Sequence, residues 1–259
     1  MDGVLRGISM TTDIHTHLGN SPNEVLSVNK SNLTKHVDML TSMMDMFAVD
    51  QAVLTPDIPQ IDTDLYIKAA EIYPDRLYSA CSISPRPIDN AKNELKDYVE
   101  KGCCALILNR GTYHPSDPAV RVLIHNAAAQ DMPIFFQNEN MTSEDIIFLD
   151  SISTEYQEGK FVVLGLGGLF GFPQLISLMS RPNIWLELST TFIKLVESPL
   201  RVFLDALAQD IGVTKLVFGS GYHSQYVDMM GALNLIDLDI ETSRIVMREN
   251  AWRILGLKF

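Results

Sequence analysis

Short apolar runs alternate with amphipathic stretches from one end of the chain to the other. Eight of the runs read as strands: 12–17, 51–55, 77–84, 103–109, 133–138, 161–165, 183–188 and 215–219. Most are nearly continuous in apolar residues, as expected of strands buried on both faces of a parallel sheet. Helical periodicity fills most of the gaps. Leu33, Val37, Leu40, Met44 and Phe47 recur at three and four residues, as do Ala91, Leu95 and Val99, then Val120, Leu123 and Ala127. Ile146, Ile147, Leu149 and Ile152 follow, then Leu200, Phe203, Leu204 and Leu207. A last helix is expected over about 241–255, with Ile245, Val246, Ala251, Ile254 and Leu255 inward.

Eight strand-then-helix units with right-handed crossovers leave two main outcomes, a closed barrel or an open doubly wound sheet. The open sheet asks for a glycine-rich phosphate loop after its first strand. That position holds His15-Thr16-His17. The pattern therefore predicts an α/β chain forming one (β/α)8 barrel, a TIM barrel, as a single domain over 1–259. A length of 259 residues is typical of that fold. The segment 19–31 is the one long polar loop, expected as a flap over the barrel mouth.

Composition narrows the function. Apolar residues make up 46% and charged residues 20%, enough for a large core. A net charge of −12 argues against nucleic acid and against anionic membrane surfaces as partners. No stretch approaches the roughly 18 apolar residues of a membrane span. Cys81, Cys103 and Cys104 are too few and too close for a disulfide framework, which points to a reduced, cytoplasmic protein. The first twelve residues lack a basic cluster followed by an apolar run, so no signal peptide is expected, and Met10 offers an alternative start.

The chemistry of a (β/α)8 barrel sits at the C-terminal ends of its strands. The first strand ends in His15 and His17, which strand alternation sends to one face. Two imidazoles at one point make half of a divalent metal site. The remaining strands end at Thr55-Pro56-Asp57, Ser82-Ile83-Ser84, Asn109-Arg110, Gln137-Asn138-Glu139, Gly165-Leu166-Gly167-Gly168, Glu187-Leu188-Ser189-Thr190 and Gly219-Ser220-Gly221-Tyr222-His223.

At these ends the chain resembles the amidohydrolase-related family of metal-dependent (β/α)8 hydrolases and decarboxylases. The marks are Asp13-Ile14-His15-Thr16-His17, Leu164-Gly165-Leu166-Gly167-Gly168, Phe218-Gly219-Ser220-Gly221-Tyr222 and the closing Glu-Asn-Ala-Trp-Arg-Ile-Leu-Gly-Leu of 249–257. The first is the most specific. The resemblance implies a hydrolase, less readily a decarboxylase, acting on a small carbonyl compound such as an amide, lactone or ester. It also implies one divalent ion, zinc first, held by His15 and His17. That ion would polarise the carbonyl and lower the pKa of its bound water.

Three departures bear on that ion. Gln137 stands where the family usually has a histidine on strand 5, Gly165 where it has one on strand 6, and Gly221 where it has the aspartate of strand 8. Only His15 and His17 remain of the usual five metal-facing positions, so any ion is expected to be weakly held or absent. The two glycines are also expected to leave the mouth roomier around strands 6 to 8. Glu139 and His223 lie two residues beyond Gln137 and Gly221, and by alternation they are the candidate bases or substitute ligands. The alternative for each is an ordinary loop residue. Gln137 is a further helper at the site. Glu187 interrupts an apolar strand and, facing inward, would be a buried charge lining the pocket and needing a partner. Arg110 and His114 would suit a substrate carboxylate, or equally an exposed salt bridge. Two further readings stand beside the metal hydrolase: a non-catalytic barrel binding a ligand or partner, and a metal-free hydrolase using its histidines as base and electrophile. A small molecule is the expected partner, and a homo-oligomer is allowed.

Overall fold

The computed structural model describes residues 10–56, 60–210, 212–236 and 238–256. Its strand segments are β1 (Thr11–His17), β2 (Val49–Leu54), β3 (Leu77–Ser79), β4 (Cys81–Ser82), β5 (Leu106–Asn109), β6 (Ile134–Gln137), β7 (Phe161–Val163), β8 (Ile184–Glu187), β9 (Leu216–Val217) and β10 (Gly221–Tyr222). All pair in parallel, in the orders β10-β1-β2-β3 and β4-β5-β6-β7-β8-β9.

Backbone hydrogen bonds join the two runs at both ends. The Ala80 N–H donates to the Leu54 carbonyl at 3.0 Å and the Cys81 N–H to the Ala105 carbonyl at 2.8 Å, so β3 and β4 are one bent strand. The Ile14 N–H donates to the Phe218 carbonyl at 3.0 Å and the Ser220 N–H to the His15 carbonyl at 3.1 Å, so the last strand lies along β1. The strand order returns to its start, and the fold is the (β/α)8 barrel that the apolar pattern predicts.

The interior is an apolar plug. Ile14, Val53, Ala80, Ile107, Phe135, Leu164, Trp185 and Val217 pack together, each 5% exposed or less. Their neighbours Leu54, Leu108, Phe136, Val163 and Leu186 face the helices in the outer core. Strand alternation then places Asn109, Gln137, Glu187 and Gly219 one layer above the plug, two residues after Ile107, Phe135, Trp185 and Val217. The C-terminal mouth is polar because the apolar layer ends there.

Several expectations need correction. The fourth strand starts at Leu106 and leaves Cys103 and Cys104 outside it. The eighth is interrupted at Phe218–Ser220 and resumes as β10. Ile147 is 70% exposed, because the helix Ser143–Glu155 turns Phe148, Leu149 and Ile152 inward instead. The segment 19–31 is no plain polar loop: it holds the helix Pro22–Ser27, N-capped by Ser21 and pinned by buried Val25. The closing family mark has a structural reason. Asn250 is fully buried, and its amide donates to the Leu216 carbonyl at 2.7 Å and the Thr214 carbonyl at 2.6 Å, fastening the last helix to β9. Among the described residues no helix is long and apolar enough to cross a membrane.

Candidate functional site

Simple alternation along β1 would put Asp13, His15 and His17 on one face. The ladder to β2 shows otherwise. Asp13 pairs with Ala52 and Thr16 with Leu54, so β1 spends three residues where β2 spends two. Such a bulge re-aims side chains at functional ends of strands. Asp13 faces the outer layer, while His15 reaches across the mouth to Glu187. The two imidazoles sit 5.6 Å apart by ring centroid at an interplanar angle of 73°, both buried. The Tyr222 ring lies 5.0 Å from that of His17.

Glu187 is the centre of the arrangement. It is fully buried, its Oε2 lies 3.1 Å from His15 Nδ1, and the same oxygen accepts the Gly165 N–H at 2.7 Å. Its Oε1 is buried without a hydrogen-bond partner. A buried carboxylate must be matched by an opposite charge or by donors, and His15 Nδ1 with the Gly165 amide supplies the donors. Gly219 makes the room, since a Cβ there would overlap Oε1 of Glu187.

Asp13 braces this pair from behind. Its Oδ1 accepts the N–H groups of His15 at 3.0 Å and Ser220 at 3.1 Å. Its Oδ2 accepts the hydroxyls of Ser220 at 2.6 Å and Tyr226 at 2.9 Å. Complete burial nevertheless raises its pKa from 3.8 to about 6, against the pull of those hydrogen bonds.

The two mouth glycines have positive φ, +56° at Gly165 and +70° at Gly221. A Cβ on Gly165 would stand 3.4 Å from Thr191 Oγ1 and 3.5 Å from Ser189 Oγ, and one on Gly221 3.6 Å from Ser189 Cβ. Both glycines therefore face the turn Ser189–Thr191, which brings hydroxyls to the side expected to be merely roomy. Restoring histidine or aspartate at either glycine would meet tolerable contacts but an unfavourable backbone. Ser189 itself has φ +35°. A non-glycine residue there costs about 1–3 kcal/mol. It is buried, joins β8 to the helix Ser189–Val196, and its N–H donates to the Gly219 carbonyl at 3.1 Å. Sequence reading missed Ser189, Tyr222 and Asp13 as parts of the site.

The other sequence candidates lie elsewhere. β6 ends at Gln137, which is half-buried at the mouth, and the chain turns at Asn138, whose Oδ1 accepts the Asn140 N–H at 3.2 Å. The strand does not continue, so alternation fails to carry Glu139 inward, and it is exposed. Tyr222, not His223, shares a face with His17. His223 is buried beside a groove of about 660 Å³ also lined by Asn20, Lys35, Asp38, Met39 and Met43. Burial pushes its pKa down to about 4, with Glu24 opposing and His36 adding to the effect. Arg110 is committed: it donates to Asp145 at 2.6 Å and to the Tyr113 carbonyl at 2.9 Å, and Glu144 lies 3.6 Å away. His114 is exposed, 2.8 Å from Ser116 Oγ and 3.5 Å from Glu144. Asp57 lies outside the described residues.

Asp13 and His223 titrate in opposite senses. Asp13 holds its proton more tightly in the folded chain, so its stabilising contribution is full below pH 3.8 and is lost as pH rises through about 6. The contribution of His223 is full above pH 6.5 and is lost as pH falls through about 4. Each amounts to about 3 kcal/mol. The two slopes should nearly cancel between pH 4 and 6.5. Urea denaturation across that range should find Asp13→Asn losing stability on acidification and His223→Gln losing it as pH rises. Identical slopes in both variants would contradict these environments.

Among the described residues the donor set does not fit a firmly held divalent ion. A catalytic zinc normally takes three protein ligands. Among the described residues no group of three or more His, Cys, Asp or Glu side chains is placed to share an ion. Gly165 and Gly221 offer no side-chain atom, and Glu187 is turned to His15 Nδ1 and the Gly165 amide.

Known proteins share this architecture. A probable 2-pyrone-4,6-dicarboxylic acid hydrolase of Acinetobacter baumannii is similar at TM-score 0.73 and 18% identity, with 95% of this chain and 99% of that one covered. A 2,6-dihydroxybenzoate decarboxylase of Rhizobium is similar at TM-score 0.69 and 14% identity, covering 96% and 99%. A 5-carboxyvanillate decarboxylase of Sphingomonas paucimobilis gives TM-score 0.66 and 12% identity over 96% and 100%. These likenesses establish the fold alone. No curated protein sequence matches. A family model for amidohydrolases matches residues 12–257, nearly the whole length, and the chain belongs to that family.

Proposed function

We propose that this chain is a hydrolase of a small carbonyl compound, a lactone, ester or amide, whose general base is His15 held by Glu187. The observation that carries the reading is the buried 3.1 Å contact between His15 Nδ1 and Glu187 Oε2 at the polar mouth of the barrel. A carboxylate on Nδ1 fixes the proton there and leaves Nε2 as the basic nitrogen. The same carboxylate stabilises the imidazolium that forms when Nε2 takes a proton. A metal-independent base is the natural use of a site whose donor set suits an ion poorly.

Hydrolysis is preferred over decarboxylation because the arrangement provides a base. Arg110, the cation expected to meet a substrate carboxylate, is already matched by Asp145 and so is not offered to a carboxylate leaving as carbon dioxide. The same commitment directs the first substrates tested toward uncharged lactones and esters. Three free cysteines support a reducing, cytoplasmic setting as part of this reading.

The test is a hydrolysis screen of lactones, aryl esters and amides with purified parent and His15→Asn. Turnover by the parent that falls by at least a hundredfold in the variant is expected. No turnover of any compound, with calorimetric binding of one of them intact, would overturn the reading in favour of a ligand-binding barrel.

A further inference from the structure

The places left by the two missing side chains of the mouth adjoin one turn. A Cβ on Gly165 would stand 3.4 Å from Thr191 Oγ1 and 3.5 Å from Ser189 Oγ. Among the described residues, apart from the glycine's own turn, nothing else comes within 4 Å of that point. A Cβ on Gly221 would meet Ser189 Cβ at 3.6 Å and Thr190 Oγ1 at 3.9 Å. These are ordinary contact distances, so each glycine borders room for at least one further heavy atom. Ser189 borders both.

The turn that faces this notch is held in place. The Ser189 N–H donates to the Gly219 carbonyl at 3.1 Å, and Phe192 anchors the helix that follows, fully buried. The Thr190 hydroxyl donates to Gln225 Oε1 at 2.8 Å, whereas those of Ser189 and Thr191 hydrogen-bond to no other group among the described residues. Ser189 is buried and Thr191 half-buried. Sheltered hydroxyls of this kind gain a partner when a polar ligand enters.

Gly165 ties the notch to the proposed base. Its N–H donates to Glu187 Oε2 at 2.7 Å, and that oxygen lies 3.1 Å from His15 Nδ1. The bordering oxygens are neutral, and the charge across Gly165 is an anion. A substrate carboxylate placed here would meet like charge. A substrate hydroxyl both donates and accepts, and two hydroxyls free to rotate can answer it in either sense.

We propose that Ser189 and Thr191 form a substrate subsite that hydrogen-bonds a hydroxyl carried beside the reacting carbonyl, so that the site selects hydroxylated lactones or hydroxy esters over plain or carboxylated ones. This deepens the hydrolase reading and rests on it for the reacting carbonyl. Both residues bind and orient; neither takes part in the proton transfer.

The test compares a plain γ-lactone with its ring-hydroxylated and ring-carboxylated counterparts, using parent, Thr191→Val, Thr191→Ser and Ser189→Ala. Valine keeps the shape of threonine, and alanine keeps the Cβ that serine already carries at its positive φ. In the parent, kcat/KM for the hydroxylated lactone should exceed that of the other two by at least about tenfold. Thr191→Val and Ser189→Ala should reduce that ratio to about twofold, chiefly through KM. Thr191→Ser should retain it. A parent that does not prefer the hydroxylated lactone, or a folded Thr191→Val that keeps the full ratio, would overturn the subsite while its turnover upheld the hydrolase. Should the parent turn over none of the three, calorimetric binding of the same lactones decides. Tighter binding of the hydroxylated one, lost in Thr191→Val, would keep the subsite and sink only the hydrolase. No such difference would overturn both.

Discussion

Glu187→Gln is expected to lower hydrolytic kcat by about two to four orders of magnitude while leaving the barrel folded. The amide is the same size, and its oxygen can still accept the Gly165 N–H that Oε2 accepts at 2.7 Å in the parent. That same oxygen faces His15 Nδ1 and can keep its proton there, with the NH2 at the position of Oε1, but the neutral amide removes the charge that stabilises the imidazolium. KM should change little because the carboxylate is fully buried behind His15 and not part of the open surface. The measurement is kcat and KM on the best ester or lactone, with thermal unfolding of the same samples. A folded Glu187→Gln protein with unchanged kcat would remove Glu187 from the mechanism.

Asp13→Ala should be among the most destabilising single changes, by about 3–5 kcal/mol in urea denaturation. Four donors converge on that carboxylate, the N–H groups of His15 and Ser220 and the hydroxyls of Ser220 and Tyr226. Alanine would leave the His15 N–H and the Tyr226 hydroxyl facing a cavity, while Ser220 keeps the His15 carbonyl at 3.1 Å for its N–H and Thr16 Oγ1 at 3.1 Å for its hydroxyl. Relief of a buried, partly ionised carboxyl offsets some of the loss, but not two unmet donors and the lost packing. Asp13→Asn is the control. Its oxygen keeps both N–H groups and its NH2 can donate to hydroxyls that rotate, so a cost of about 1–2 kcal/mol is expected. Equal costs for the two variants would show that volume, not hydrogen bonding, is what Asp13 supplies.

Much of the barrel is legible in the sequence because its strands are apolar on both faces. Ile107 and Leu108, or Phe135 and Phe136, need burial whichever way they point, and only a parallel sheet under helices supplies it. The ends are less legible. The stop of β6 at Gln137 comes from the Asn138 turn, and an alternation rule cannot see it; Glu139 is therefore misplaced by that rule. The eighth strand breaks at Gly219 and Ser220 for reasons that lie in other residues: Gly219 makes way for Glu187, and Ser220 reaches Asp13.

The site divides the same way. A glutamate inside an apolar strand announces a buried charge that needs a partner, and Glu187 is legible as such. The identity of the partner is not, because His15 is 172 residues away and reaches it only through a bulge that a period of two does not encode. The bulge also separates Asp13 from the histidines it neighbours in sequence. Ser189 leaves no trace at all, since a positive φ is imposed by the turn and not by the residue. Of the family's metal positions, Gln137, Gly165 and Gly221 are visible as departures, but only the fold reveals that the glycines face hydroxyls and not open space.

His15 and Glu187 are proposed to work without a resident metal ion. The most direct test is hydrolytic activity and metal content measured on one sample, before and after exhaustive dialysis against a chelator. Activity that survives undiminished while zinc, manganese and iron fall below about a tenth of an equivalent per chain is the predicted result. Activity that disappears with the ion, and returns in proportion to added zinc, would contradict it.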